Sequence, residues 1–276
     1  MSEVESAIRD LTAARRAVRD ELRETERQQR GFEGFRGTVA GIDPDRGVPN
    51  GSSAPTATPS AGSGPGWSTG ASAATATAAT PDDRCRRVRA AFEELVLPHV
   101  ETETGGVPAT IAAELSAEVA VALAAEGGGN QFTEALREAV LEHVDQRLAE
   151  GRVMLRALTR ERDSLDDAIA LLKRVDRELP AVDDSVVLLS TDEELWDRRR
   201  RVASLETDLE AALRDRQSTL GDVVASEVKA GIEHDTVVEY LFGERDVTYP
   251  ALDALARAVG ECRRRTDRLD SALEAE

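Results

Sequence analysis

From about Thr133 to Leu179, apolar side chains return every three or four positions. One series reads Leu141, Leu148, Leu155, Arg162, Ile169, Asp176; a second, three residues on, reads Val144, Gly151, Leu158, Leu165, Leu172, Leu179. Strand side chains repeat every two residues and helical ones about every 3.6, so this spacing belongs to a helix. A heptad held this long, despite a few polar interruptions, is the pattern of one helix packed along another. At ~1.5 Å per residue the helix reaches about 70 Å.

The partner follows directly. "PAVDDSVVLL" from Pro180 breaks the first rod, and "STDEELW" starts a second. Thr191 with Glu194 fits a capping box, as does Ser190 with Glu193. Leu195, Val202, Leu205, Leu209, Leu213, Leu220 and Val223 carry this helix toward Lys229. The short connection makes the pair an antiparallel hairpin. A register with Ile169 facing Val202 also brings Leu165 to Leu205, Leu148 to Val223 and Gly151 to Leu220. "SVVLL" at Ser185 is the one β-like run and is expected to cover the end of the bundle.

The remaining elements are also helical. Residues 2 to about 36 form a thin stripe of Val4, Ile8, Leu11, Val18, Leu22 and Phe32, interrupted by Arg15, Thr25 and Gln29. Such a helix needs a partner. Docking on the bundle and recruiting another chain both suit it, and the remainder is expected to fold without residues 1–36. Between Gly41 and Thr80 the chain is Gly, Ser, Pro, Ala and Thr with almost no large apolar residue beyond Trp67, the composition of a disordered linker. Thr80-Pro81 opens a helix with Cys85, Val88, Phe92, Leu95 and Val96 on one face. Val107-Pro108 opens another, with Ile111, Leu115, Val119 and Leu123, stopped by Gly127–Gly129. Thr236 with Glu239 suggests a capped short helix ending at Gly243, followed by a corner plugged by Tyr240, Leu241, Phe242 and Tyr249. Pro250 opens the last helix, with Leu252, Leu255, Val259, Cys262, Thr266, Leu269 and Leu273 at helical spacing. The expected fold is all-α: an elongated bundle built on a long antiparallel coiled-coil-like hairpin. Its expected divisions are a first helix (1–37), a disordered linker (38–80) and a helical bundle domain (81–276).

Aromatic residues make up only 3% of the chain, so the core must be built of Leu, Val and Ala. The formal net charge is −18, and the bases are almost all arginine, with Lys173 and Lys229 the only lysines. Self-repulsion of this size destabilises a compact state and is screened by salt, which points to a salt-adapted cell. No run approaches the ~18 apolar residues of a membrane span. The start "MSEVESAIRD" has neither a basic nor an apolar signal region, so a cytoplasmic protein is expected.

Four consecutive arginines in "WDRRRR", Trp196 to Arg201, raise the question of nucleic acid. Successive helical residues turn by about 100°, which spreads the four around the cylinder. Acidic neighbours at i,i+4 spacing, Glu194 for Arg198 and Asp197 for Arg201, make them a solvated helix surface. "RCRRVR" at Arg84 and "CRRR" at Cys262 read the same way. A phosphate-binding surface needs an unneutralised basic stripe, so nucleic acid is not the expected partner.

His99 lies close to Glu101 and Glu103, the one weak candidate for a metal. No ligand pair has a recognised spacing, so no metal, cofactor or catalytic residue is assigned. His143 belongs to a helix flank and His234 to a loop. No Glu-x-x-His pair of a di-iron bundle is present, and no phosphate-binding glycine motif or nucleophile elbow. Cys85 and Cys262 fall on apolar faces as inert buried thiols.

"RVRAAFEELVLPHVETETGG", "FTEALREAVLEHV" and "VVEYLFGERDVTYPALDALA" resemble a family of uncharacterised haloarchaeal helical proteins, known as a domain of unknown function. That resemblance implies a halophilic setting and an α-helical fold, and no activity. Family members carry an aromatic residue directly after the histidine; here Val100 and "ETETGG" follow His99, so no role is carried over to it. The expected function is a non-enzymatic helical scaffold or protein-interaction module of a salt-adapted cell, acting on a protein partner or by self-association through helix faces. The alternative is a transcriptional or signalling regulator with weak nucleic-acid contact through the arginine-rich turns.

Overall fold

The computed structural model of the chain describes residues 2–45, 81–102, 104–124, 131–179, 182, 189–221 and 234–274. Among them are eight α-helices and no strand: α1 (Glu3–Ala40), α2 (Pro81–Leu95), α3 (Val107–Glu114), α4 (Ala117–Ala124), α5 (Glu134–Glu178), α6 (Asp192–Gly221), α7 (His234–Phe242) and α8 (Pro250–Glu274). A 3-10 turn, Leu97–His99, follows α2. The chain packs as two compact units, Met1–Gln29 with Ala149–Glu276, and Arg30–Leu148. These divisions differ from the expected ones, because α1 and α5 each contribute to both units.

The first unit is a four-helix bundle. Arg15 pairs with Asp166 at 2.6 Å, and the Ser2 hydroxyl donates to Asp176 at 3.3 Å, so α1 and α5 run antiparallel. Arg174 meets Asp208 at 2.6 Å and Arg216 meets Glu161 at 2.7 Å, which sets α6 antiparallel to α5 as expected. Arg263 meets Glu206 at 2.8 Å and Arg199 meets Asp270, which turns α8 back along α6. Arg257 on α8 reaches Asp10 at 2.6 Å and closes the ring on α1. The result is up-down-up-down topology.

Three sequence expectations change here. The α5–α6 register lies two to three turns from the expected one: Arg174, not Ile169, sits near the start of the pairing, and Ser164 meets Arg216 at 3.0 Å. Heptad faces look alike at every repeat, so apolar spacing permits several registers and the charged contacts decide between them. The first turns of α6 pass the end of α5 and pack on α8, with Leu195 buried and the Leu179 and Val182 carbonyls accepting from Arg265 and Arg268 at 3.3 Å. Within α5 the inward positions include Glu161, Ala168 and Val175, one residue before the expected Arg162, Ile169 and Asp176. Ile169 is also buried, so the polar interruptions mark the edge of the face. Thirdly, α1 is a core helix rather than an accessory. Val4, Ala7, Leu11, Ala14, Val18 and Leu22 are all buried, and Thr25 and Gln29 continue the same face. Of the two roles open to this helix, docking on the bundle is the one seen, and a core this dependent on α1 argues against the remainder folding without residues 1–36.

The capping box at Thr191 forms, with its N–H donating to Glu194 at 3.0 Å and Glu194 N–H donating to the Thr191 hydroxyl at 3.4 Å. At α7 the expected box does not form, because the helix already starts at His234 and Thr236 lies within it. Phe242 is buried and Tyr249 donates to Asp235 at 3.0 Å, but Tyr240 is exposed and reaches Glu21 on α1 at 3.1 Å. Tyr240 is thus an edge strap and not part of the plug. "SVVLL" to Leu188, and Trp67, lie outside the described residues.

The second unit packs α2, α3 and α4 with the end of α1 and the start of α5. Phe35 and Phe92 meet edge to face at 5.5 Å, and Phe32 and Phe132 are buried beside them. The first helix runs past its expected end to Ala40, because Val39 and Ile42 both bury. The Asp45 carboxylate accepts the Phe132 N–H at 2.8 Å and pairs with Arg84, while Asp45 N–H donates to the Phe132 carbonyl at 2.8 Å. Residues 38–45 therefore belong to the folded unit, and the rest of the expected linker, from Arg46, lies outside the described residues. The expected helix from Val107 is split at Leu115, because the Ser116 hydroxyl caps the Val119 N–H at 3.1 Å and starts a new helix. Thr133 caps α5 in the same way, through the Leu136 N–H at 3.2 Å.

Candidate functional site

The residues singled out for metal chemistry are not brought into a site. His99 ends the 3-10 turn, half-buried, with its ring edge set against the bare Cα of Gly31. A Cβ at Gly31 would lie 3.3 Å from the ring and closer still to the Leu95 carbonyl oxygen, so the pair marks a tight α1–α2 approach. Glu101 is exposed and Glu103 lies outside the described residues. Among the described residues no group of three or more His, Cys, Asp or Glu side chains is placed to hold a metal ion. His143 is half-buried on α5. The side chain of His234 lies outside the described residues. Cys85 and Cys262 are both buried free thiols, and burial pushes Cys262 up to about 11, with Glu206 adding to the effect.

Most arginines of the runs are held by carboxylates or carbonyls. Arg199 bonds Asp270 and stacks over Trp196 at 5.7 Å; Asp197 takes Arg200 at i+3 rather than Arg201 at i+4. Hydrogen bonding to Asp270 raises the Arg199 pKa further above its ordinary value. Arg84 pairs with Asp45, and Arg89 donates to the Leu123 carbonyl. Arg263 spans Glu206 and Glu210 at 2.8 and 2.7 Å, while Arg264 and Arg265 both hold Glu261 at 2.8 Å. Burial works to raise the Glu261 carboxyl, but hydrogen bonds from Arg265 and Arg264 overcome it and hold the group below its ordinary value. Exposed arginines without an ion pair among the described residues include Arg87 and Arg201 of the runs as well as Arg9, Arg16, Arg152, Arg156 and Arg214.

One of several clefts of similar size in the bundle lies between α5, α6 and the start of α8. It holds about 410 Å³, within the range of ligand-sized clefts. Ala168, Leu171, Ala212, Ala251 and Leu255 provide its apolar wall. Small side chains at Ala168 and Ala212 leave the gap open. At its side sits the one ion pair among those described with both members fully buried, Arg216 at 3% and Glu161 at 0% side-chain exposure. Arg216 donates to both Glu161 oxygens at 2.9 and 2.7 Å and to the Ser164 hydroxyl at 3.0 Å. Its buried Nε has no acceptor among the described residues. Desolvating such a pair costs several kcal/mol per ion, about what the attraction returns, so it contributes position more than stability.

The cleft carries a second set of charges. Asp163 is held by Arg162 at 2.7 Å. Asp167 and Asp215 line the cleft, are exposed, and have carboxylates without an ion pair among the described residues. The sequence signal for this site was a charged residue on each of two apolar faces, Glu161 and Arg216; only the true register places them together.

A family model described as a domain of unknown function (DUF7260) matches residues 9–266, and the chain belongs to that family. No curated protein and no solved structure matches it. Among the described residues, no helix is long and apolar enough to cross a membrane.

Proposed function

We propose that this member of DUF7260 is a non-enzymatic helical interaction module of a salt-adapted cytoplasm, receiving a protein partner on the α5–α6 hairpin. The observation that carries this reading is the cleft between those helices. An opening floored by small apolar side chains and edged by unpaired charge is how interfaces seat an anchor residue inside a polar rim. The hairpin itself is held by ion pairs on either side, so the surface offered to a partner is preorganised. Charge supports the setting: a formal −18 with arginine as nearly the only base suits high salt.

The test is a photocrosslinking residue placed at Asp167 in the native cell, with a control at Arg23 on α1. Discrete crosslinked species from the first position and none from the second are expected; no crosslink at Asp167 overturns the reading. Dilution of KCl to low millimolar should lose helical circular dichroism. An unchanged spectrum and melting temperature there removes the salt-adapted part. The nucleic-acid alternative is disfavoured by the carboxylate partners of the arginine runs, and DNA retardation in molar KCl separates it from the protein-partner reading.

A further inference from the structure

We infer that the α5–α6 cleft recognises a basic segment of a partner protein that inserts one large apolar side chain between flanking lysines or arginines. This rests on the interaction-module reading and adds the chemistry of the partner. The floor of Ala168, Leu171, Ala212, Ala251 and Leu255 offers no charge, and about 410 Å³ is room for an aromatic or leucine side chain. Burying it removes apolar surface on both sides from water, the source of affinity that survives high salt.

The edge decides the sign of the flanks. Glu161 neutralises Arg216 and Arg162 holds Asp163; Arg160 also lines the cleft, against Asp167 and Asp215, the two acids with no ion pair among the described residues, so the edge keeps an acidic excess. An acidic flank would meet like charge, and a neutral one would leave both carboxylates facing an uncharged surface. A second copy of this chain, itself at −18, brings the same repulsion to the rim. Basic residues on either side of the anchor complete the interface instead. The Ser164 hydroxyl, which accepts from Arg216, keeps its own proton to donate toward a backbone carbonyl of the incoming segment.

The experiment uses the full chain with alanine methyls isotopically labelled, so that Ala168, Ala212 and Ala251 report the floor. The probe is a short peptide carrying one tryptophan between pairs of lysines. The comparison peptides replace the lysines by glutamates, or the tryptophan by alanine. The basic tryptophan peptide is expected to shift the floor methyls, and both comparison peptides to fail. Asp167→Asn/Asp215→Asn should weaken the basic peptide by roughly ten-fold with an unchanged melting temperature. Ala212→Leu, which fills the cleft, should abolish the shifts. Equal binding of the glutamate peptide, or full binding by the double variant, overturns the inference. So do floor methyls that move on Trp67→Ala with no peptide present, or self-association lost in the double variant, since these assign the cleft to this chain itself. If crosslinks from a photocrosslinking residue placed at Thr219, on the same cleft, persist in a chain carrying both Asn substitutions, the interaction module stands and this account of its partner fails.

Discussion

Of the five phenylalanines, Phe242 alone lies in the core of the four-helix bundle, while Phe32, Phe35, Phe92 and Phe132 fill the smaller unit. The bundle is built of leucine, valine and alanine on long helices, whose parallel faces let small side chains interdigitate along many turns. The smaller unit has helices as short as the eight residues of α3 and α4. Short helices bring few apolar turns each to their core, and ring-sized side chains from α1, α2 and the stretch before α5 make up the volume. The scarce aromatic residues are therefore spent where helix length alone does not hold the elements together. Polar burial divides the same way: the bundle hides the Glu161–Arg216 pair, and the smaller unit caps its turns with Asp45, Ser116 and Thr133.

The comparison breaks most completely if α1 is removed, because this helix supplies apolar side chains to both cores. Deleting residues 1–36 should abolish cooperative unfolding and leave an aggregating or molten chain. A truncated protein with a sharp melting transition would show instead that each core closes without it.

Next in size is the buried pair. Arg216→Ala leaves the Glu161 carboxylate enclosed and uncompensated, which should cost ~3–5 kcal/mol in denaturant titration. Glu161→Leu/Arg216→Leu together should return to within about 1–2 kcal/mol of the native chain, or exceed it. If the double variant is as unstable as the single one, the pair is a stabilising contact and not chiefly a device that selects the α5–α6 register.

Phe92→Ala removes the edge-to-face partner of Phe35 and should cost ~3–5 kcal/mol, expressed in the smaller unit. The native thiols separate the units without added probes, since Cys85 belongs to one core and Cys262 to the other. In Phe92→Ala, alkylation followed by peptide mass spectrometry should label Cys85 early and Cys262 late; in Arg216→Ala the order should reverse. Simultaneous labelling in both variants would merge the two units into one cooperative fold. The raised Cys262 pKa has its own consequence. The unfolded thiol ionises near pH 9 and the folded one near 11, so bundle stability should be whole below the first value and decline as pH rises toward the second.

Legibility followed the same division. In the bundle, helical periodicity marked α5, α6 and α8 within a few residues, and the Thr191–Glu194 box was readable as text. What escaped there was register: Ile169 opposite Val202 satisfies the heptad as well as the real pairing does, and the Arg174–Asp208 and Glu161–Arg216 contacts separate them. The cleft escaped with it, since Ala168 and Ala212 mean nothing until they face each other. In the smaller unit, single polar residues decided the path. Ser116 is one hydroxyl inside an apolar run, and a helix through it looks uninterrupted until the side chain is seen to cap. Asp45 looked like linker because its partners, Arg84 and the Phe132 backbone, are distant in sequence.

The smallest effect sharpens the comparison from inside the bundle. The Thr266 hydroxyl oxygen on α8 is buried and has no hydrogen-bond partner among the described residues. Glu161 meets a partner across helices and the buried Thr25 hydroxyl donates to the Glu21 carbonyl of its own helix, whereas the Thr266 hydroxyl is a cost without a contact. Valine keeps the branched shape at Cβ and removes the polar atom. Thr266→Val should then gain about 1 kcal/mol, a small rise in melting temperature with an unchanged denaturant slope. The same chemistry at Thr110 of the smaller unit should act in the opposite direction, because that hydroxyl donates to the Gly106 carbonyl at 3.2 Å. A loss at Thr266 as large as that at Thr110 would mean that the hydroxyl finds an acceptor in solution and that the two cores treat buried polarity alike.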